Sequence, residues 1–175
     1  MDFVLEDATD VLERTPEVLQ ALLGGLSDCW TLSNYGTATF SPFDVVGHLI
    51  HGEQTDWMVR VRVILEQGDS IPFEPFDRYA MYEASKGKRM GDLLKQFALL
   101  RTKNLDELRA LDVTQMKLQC RGTHPTLGQV TLSQLLAAWV VHDLNHLHQI
   151  AKSMAYQYCT EVGPWREYLS LLPRS

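Results

Sequence analysis

The chain has 175 residues, 45% of them hydrophobic and 22% charged, enough for a buried core and too apolar for a disordered protein. Its formal net charge of −6 argues against a nucleic-acid binder, which needs a basic footprint. No apolar run of about 18 residues is present to span a membrane. The acidic start Met1–Asp7 lacks the parts of a signal peptide, and Cys29, Cys120 and Cys159 form no CxxC pair, so a cytoplasmic protein with reduced thiols is expected.

A first helix is expected to start near Thr9 or Thr15. Thr15-Pro16 offers a cap followed by proline at the first helical position, and Gly24-Gly25 offers a stop. Ser27 to Phe40 reads as an irregular connection packed down by its aromatics. Ser41-Pro42-Phe43-Asp44 is a clear helix start, with Ser41 as cap and Asp44 at the third position. This second helix is expected to run to Gln67 and stop at Gly68. It carries two apolar stripes, Val46/Ile50/Trp57/Val61/Ile64 and Val45/Leu49/Val59/Val63, and so should touch two neighbours.

Ser70 to Phe76, with Pro72 and Pro75, reads as an extended loop. Lys86-Gly87-Lys88-Arg89 reads as a solvated helix entry rather than a nucleic-acid patch. A third helix spans about Met90 to Leu111, and Asp112 to Leu127 is a connection with a turn. A fourth helix spans about Thr131 to Tyr158, a run free of Pro and Gly. After Gly163-Pro164-Trp165, a short last helix is expected over Arg166–Leu172. There is no strand pattern of any length, no repeat and no linker. Residues 1–175 should form one all-α domain, a four-helix bundle with long crossover connections and a short C-terminal helix.

Three of the six histidines fall between Val141 and Ile150. His142 and His146, four apart, lie about 40° from each other on one helix face, the spacing that lets two imidazoles share a metal ion. His148 lies about 240° from His142 and cannot join them. On the second helix, His48 borders an apolar stripe and His51 lies on the polar side. The helical wheel thus selects His48, His142 and His146 as inward imidazoles, which could converge at the core edge if the second and fourth helices are neighbours. The alternative is a set of hydrogen-bonded core histidines. Asp143-Leu144-Asn145 between the pair excludes an HExxH protease motif. Asp143 falls within the fourth helix's apolar stripe and must be satisfied there, either as a structural anchor or as the group that orients a ligand imidazole. Glu53 is likewise inward, as a partner for an arginine or as a general base.

Asp44-Val45-Val46-Gly47-His48-Leu49 with Glu53, and Trp139 to Ile150 around the histidine pair, resemble the second-helix and last-helix motifs of the DinB/YfiT-like family of small bacterial helical metalloproteins. Leu127 to Leu132 and Gly163-Pro164-Trp165 are similar to it as well. The resemblance implies a four-helix bundle of long-crossover connectivity and a metal site built from His48, His142 and His146. It implies a divalent ion, usually zinc or nickel and sometimes manganese or iron, and it implies homodimers. Activities in such a family include thiol-dependent S-transfer and isomerisation with low-molecular-weight thiols, and metal-dependent hydrolysis. A metal-dependent enzyme acting on a small electrophile is therefore expected. The alternatives are a stress-response or metal-binding protein whose ion is structural, and a scaffold without metal. Asp143 and Glu53 are candidates for supporting the site.

Overall fold

A computed structural model describes residues 2–173. Helix α1 spans Leu5–Leu23, the short α2 Asp28–Thr31, α3 Pro42–Thr55 and α4 Trp57–Gln67. Helix α5 spans Met81–Ser85, α6 Met90–Ala110 and α7 Gln115–Leu118. Strands β1 (Arg121–His124) and β2 (Gly128–Thr131) precede α8 (Leu132–Tyr156), and a 3-10 helix covers Gly163–Tyr168. Among the described residues no helix is long and apolar enough to cross a membrane.

The bundle consists of α1, α3 with α4, α6 and α8. Helix α1 packs on α6 and α8, and α3 packs on the same two. The first and second long segments thus face each other across one diagonal, and the third and fourth across the other. The long connections 24–41 and 111–131 cross those diagonals. This arrangement makes the second and fourth long segments neighbours.

The helix starts follow local chemistry. Ser41 and Asp44 form a reciprocal capping box at α3, with Pro42 in the first turn, and Thr131 and Gln134 form one at α8. Four expectations need correction. Helix α1 begins at Leu5, so Thr15 is a buried mid-helix residue and not a cap. Pro16 therefore lies inside a helix, where it cannot donate to the carbonyl of Leu12. Arg101 Nη1 donates to that carbonyl instead, at 2.8 Å, which explains why the helix tolerates the proline.

The expected second helix is broken at Asp56 (φ −118°, ψ −73°). Beyond the break Trp57 stacks on Trp139 at 5.6 Å, and Val59 of the second apolar stripe is exposed. The expected connection before α8 holds an antiparallel hairpin, Arg121–His124 on Gly128–Thr131. Its strands are too short to show an alternating pattern. Gly122 is required there, because a Cβ would lie 2.7 Å from both Ile64 Cγ1 and Phe73 Cζ. The extended loop joins this edge, with Phe73 N–H donating to the Thr123 carbonyl at 2.9 Å. Finally, the terminal helix is a 3-10 turn that starts at Gly163-Pro164 rather than after it, since proline fits a first helical position.

The core has two apolar clusters. One gathers Leu12, Trp57, Val61, Leu105, Leu136 and Trp139. The other gathers Leu19, Val46, Ile50, Leu93, Phe97 and Ile150. Along each helix the division falls at a polar residue: Thr15, Glu53, Arg101 with Asn104, and Asp143 with His146, all buried. A polar layer therefore crosses the middle of the bundle.

Candidate metal centre

Half of that layer is a closed network around Arg101, whose side chain is 1% exposed. Its Nε and Nη2 donate to Glu53 Oε1 at 3.2 and 2.8 Å. Its Nη1 and Nη2 donate to Asp143 Oδ2 and Oδ1 at 2.7 and 3.1 Å. Trp139 Nε1 donates to Glu53 Oε1 and Asn104 Nδ2 to Oε2, at 3.1 and 2.9 Å. Burial would push the Asp143 carboxyl up, but His142 and the paired Arg101 overcome it and hold it below the usual carboxylate range. Glu53 and Asp143 thus anchor a buried guanidinium. Of the two roles open to Glu53 the arginine partner is realised, and neither carboxylate lines the cavity described below.

The other half is the histidine trio. Helix α3 supplies His48 and α8 supplies His142 and His146, and one ring nitrogen of each lies within 4.8 Å of the others. His48 Nε2 is 3.2 Å from His142 Nε2, and His142 Nε2 is 3.0 Å from His146 Nε2. His146 Nδ1–H donates to Gln149 Oε1 at 2.9 Å, which leaves its Nε2 as a lone pair facing the others. His48 Nδ1 and His142 Nδ1 are buried with no hydrogen-bond partner. Asp143 Oδ1 stands 4.0 Å from His142 Nδ1, beyond a full hydrogen bond yet close enough for the ring to favour the ionised carboxyl.

Burial, then His146 and His142, lower the His48 pKa to about 3. Burial and then His142 lower that of His146 to about 4, against the Gln149 bond. These two rings are thus held neutral, the form that ligates metals. One N–H can serve only one of the two close nitrogen contacts, whereas a cation serves both. Two imidazoles on a tetrahedral zinc hold their nitrogens roughly 3.3 Å apart, so the trio fits a first-row ion with little movement.

The trio lies in the wall of an open cavity of about 600 Å³. Around it stand Asp56, Arg60, Arg78, His124, His148 and Lys152. Asp56, the one carboxylate of this wall, receives Arg60 Nε at 2.6 Å. Burial raises its pKa, opposed chiefly by Arg60. None of the three cysteines lines the cavity. His51 is excluded from it, as the polar side of the wheel implies. His148 reaches its edge without joining the three nitrogens.

Sequence reasoning missed Arg101, Asp56, Arg60 and Gln149. Signals existed for all four: an arginine within α6's apolar stripe, an acid–base pair four apart, and a glutamine one turn after His146. Arg78 and Tyr35 reach the wall from irregular segments and carry no such signal.

Comparison with known proteins agrees with this architecture. A search of curated proteins gives no match. Among solved structures the chain is similar to YfiT from Bacillus subtilis, described as a probable metal-dependent hydrolase with an unusual four-helix bundle topology. The two share 24% identity over 85% of this chain and 84% of that one, with a TM-score of 0.73. The diagonal connectivity and the two histidine-bearing segments lie inside residues 11–150, which match the DinB superfamily model, and the chain belongs to that superfamily.

Proposed function

We propose that this protein is a metal-dependent enzyme in which His48, His142 and His146 ligate one divalent ion, and that it hydrolyses a small electrophilic molecule. The observation that carries this is the trio itself: ring nitrogens 3.0 and 3.2 Å apart beside an open cavity, with the His48 and His146 rings held neutral chiefly by burial. Three imidazoles suit zinc or nickel first, and manganese or iron next. His48, His142 and His146 would hold the ion at the cavity wall, where a water or thiol can reach it. The chemistry an ion would supply there is a lowered pKa for that water or thiol.

The chain's own groups divide the remaining work. Gln149 fixes the His146 ring through Nδ1. Asp56 is the carboxylate able to take a proton from a nucleophile in the cavity, and Arg60 holds it in place. With no cysteine in the wall, a thiolate nucleophile would have to arrive with a low-molecular-weight cosubstrate. That supports thiol transfer as the second reading of the same site.

Elemental analysis of untagged protein should find one divalent ion per chain, lost in His142→Ala. Activated esters, and electrophiles offered with a small thiol, should be turned over only by the metal-loaded form. Stoichiometric metal retained in His142→Ala would remove the site. A metal that raises the melting temperature while no ester or thiol substrate reacts would make it structural.

A further inference from the structure

The cavity wall is cationic on a chain of net charge −6. It holds three cations, Arg60, Arg78 and Lys152, against one carboxylate, Asp56. Arg60 is committed to Asp56 at 2.6 Å. Arg78 and Lys152 have no carboxylate within ion-pair distance among the described residues. Each is instead held on aromatic faces. The Arg78 guanidinium lies 5.5 Å from the Phe40 ring centre and 5.3 Å from that of Tyr79. Lys152 Nζ lies 4.6 Å from the centre of the Tyr35 ring.

Arg78 is exposed and Lys152 half-buried, so both are open to a ligand from the cavity while resting on these rings. Two cations seated over rings on one concave wall, with no carboxylate among the described residues paired to either, form a receptor for negative charge. Arg78 comes from the segment before α5 and Lys152 from nearly three turns beyond His142 on α8, so they approach the trio from different elements. A guanidinium and an ammonium together suit a carboxylate or phosphate oxygen set.

We infer that the substrate of this site is a small anion, carrying a carboxylate or phosphate group that Arg78 and Lys152 bind while the reacting atom faces the histidine trio. As a substrate assignment this rests on the metal-centre reading; the anion receptor itself can be tested separately. Arg78 and Lys152 are binding and orienting residues here.

The test is titration calorimetry of succinate and of inorganic phosphate into the full-length protein, metal-loaded and metal-stripped, for wild type and for Arg78→Gln/Lys152→Gln. At least one anion should bind wild type with and without the ion, and the double variant should weaken it by about tenfold or more. The tighter of the two identifies the head group. Equal affinity in the double variant, or no binding of either anion, would overturn the inference. Binding that vanishes with the ion places the anion on the metal alone; that also overturns it and leaves the metal centre intact. A protein that takes up no metal yet binds anion through Arg78 and Lys152 would remove the metal reading and keep the receptor.

Discussion

Two polar clusters share the middle of this bundle and differ in whether they are complete. Around Arg101, named donors from Arg101, Trp139 and Asn104 meet the oxygens of Glu53 and Asp143. Among the histidines, two Nδ1 atoms lack partners and the Nε2 atoms crowd one another. The same helices feed both. Neighbours His142 and Asp143 on α8, and His48 and Glu53 on α3, separate into the open and the closed cluster. A saturated buried network holds helices together, whereas an unsaturated one beside a cavity is poised to bind something. Titratable residues in a core are therefore better sorted by what remains unpaired than by burial.

The contrast is broken most sharply by exchanging the consequences. His142→Ala should abolish metal uptake while changing the stability of the metal-free protein by less than about 1 kcal/mol, because it removes a partly exposed, unsatisfied ring. Urea unfolding beside elemental analysis reads both. Arg101→Met should do the reverse. It leaves two buried carboxylates without their cation, at a cost of about 3–5 kcal/mol, yet a fraction that still folds should keep its metal. Metal loss from folded Arg101→Met would show that the two clusters are one.

Gln149→Leu tests the outer support of the open cluster. Losing the His146 Nδ1 partner should weaken metal binding by roughly 10–100-fold in a competition titration with a chelator. Acid tests the same cluster without mutation. The pKa values of His48 and His146 are lowered to about 3 and about 4, so the unfolded chain takes up protons before the folded one does. The stability of metal-free protein should be full above pH about 6.5 and fall as the pH drops through 4 toward 3. His48→Gln/His146→Gln should flatten that decline between about pH 6.5 and 5, above the carboxylate range. An unchanged slope there would mean that the rings do not control it. The smallest effect belongs to His51→Ala, outside both clusters, with a shift within about 0.5 kcal/mol.

Much of the open cluster was legible because helical periodicity alone orders His48, His142 and His146. Two inward carboxylates, Glu53 and Asp143, were legible as anomalies, but their cation was not. Arg101 sits among Phe97, Leu105 and Leu108, and a stripe followed through its apolar members passes over it. Reading unexplained buried acids as a demand for a base on another helix would have found it. The break at Asp56 had no Pro or Gly to announce it; it accompanies the stacking of Trp57 on Trp139, a tertiary contact. The cavity wall drawn from Tyr35 and Arg78 depends on how irregular segments settle, which no period encodes.

Pro16 carries a further consequence. By withholding one amide hydrogen it exposes a carbonyl oxygen at Leu12, and the guanidinium that reaches this oxygen also grips α3 and α8. One planar side chain thereby sets how far the first helix can slide or turn against the other three. A one-residue insertion between Leu12 and the start of α1 should be absorbed by fraying at Leu5, whereas the same insertion between Pro16 and Leu23 would force the apolar positions and the exposed oxygen out of phase.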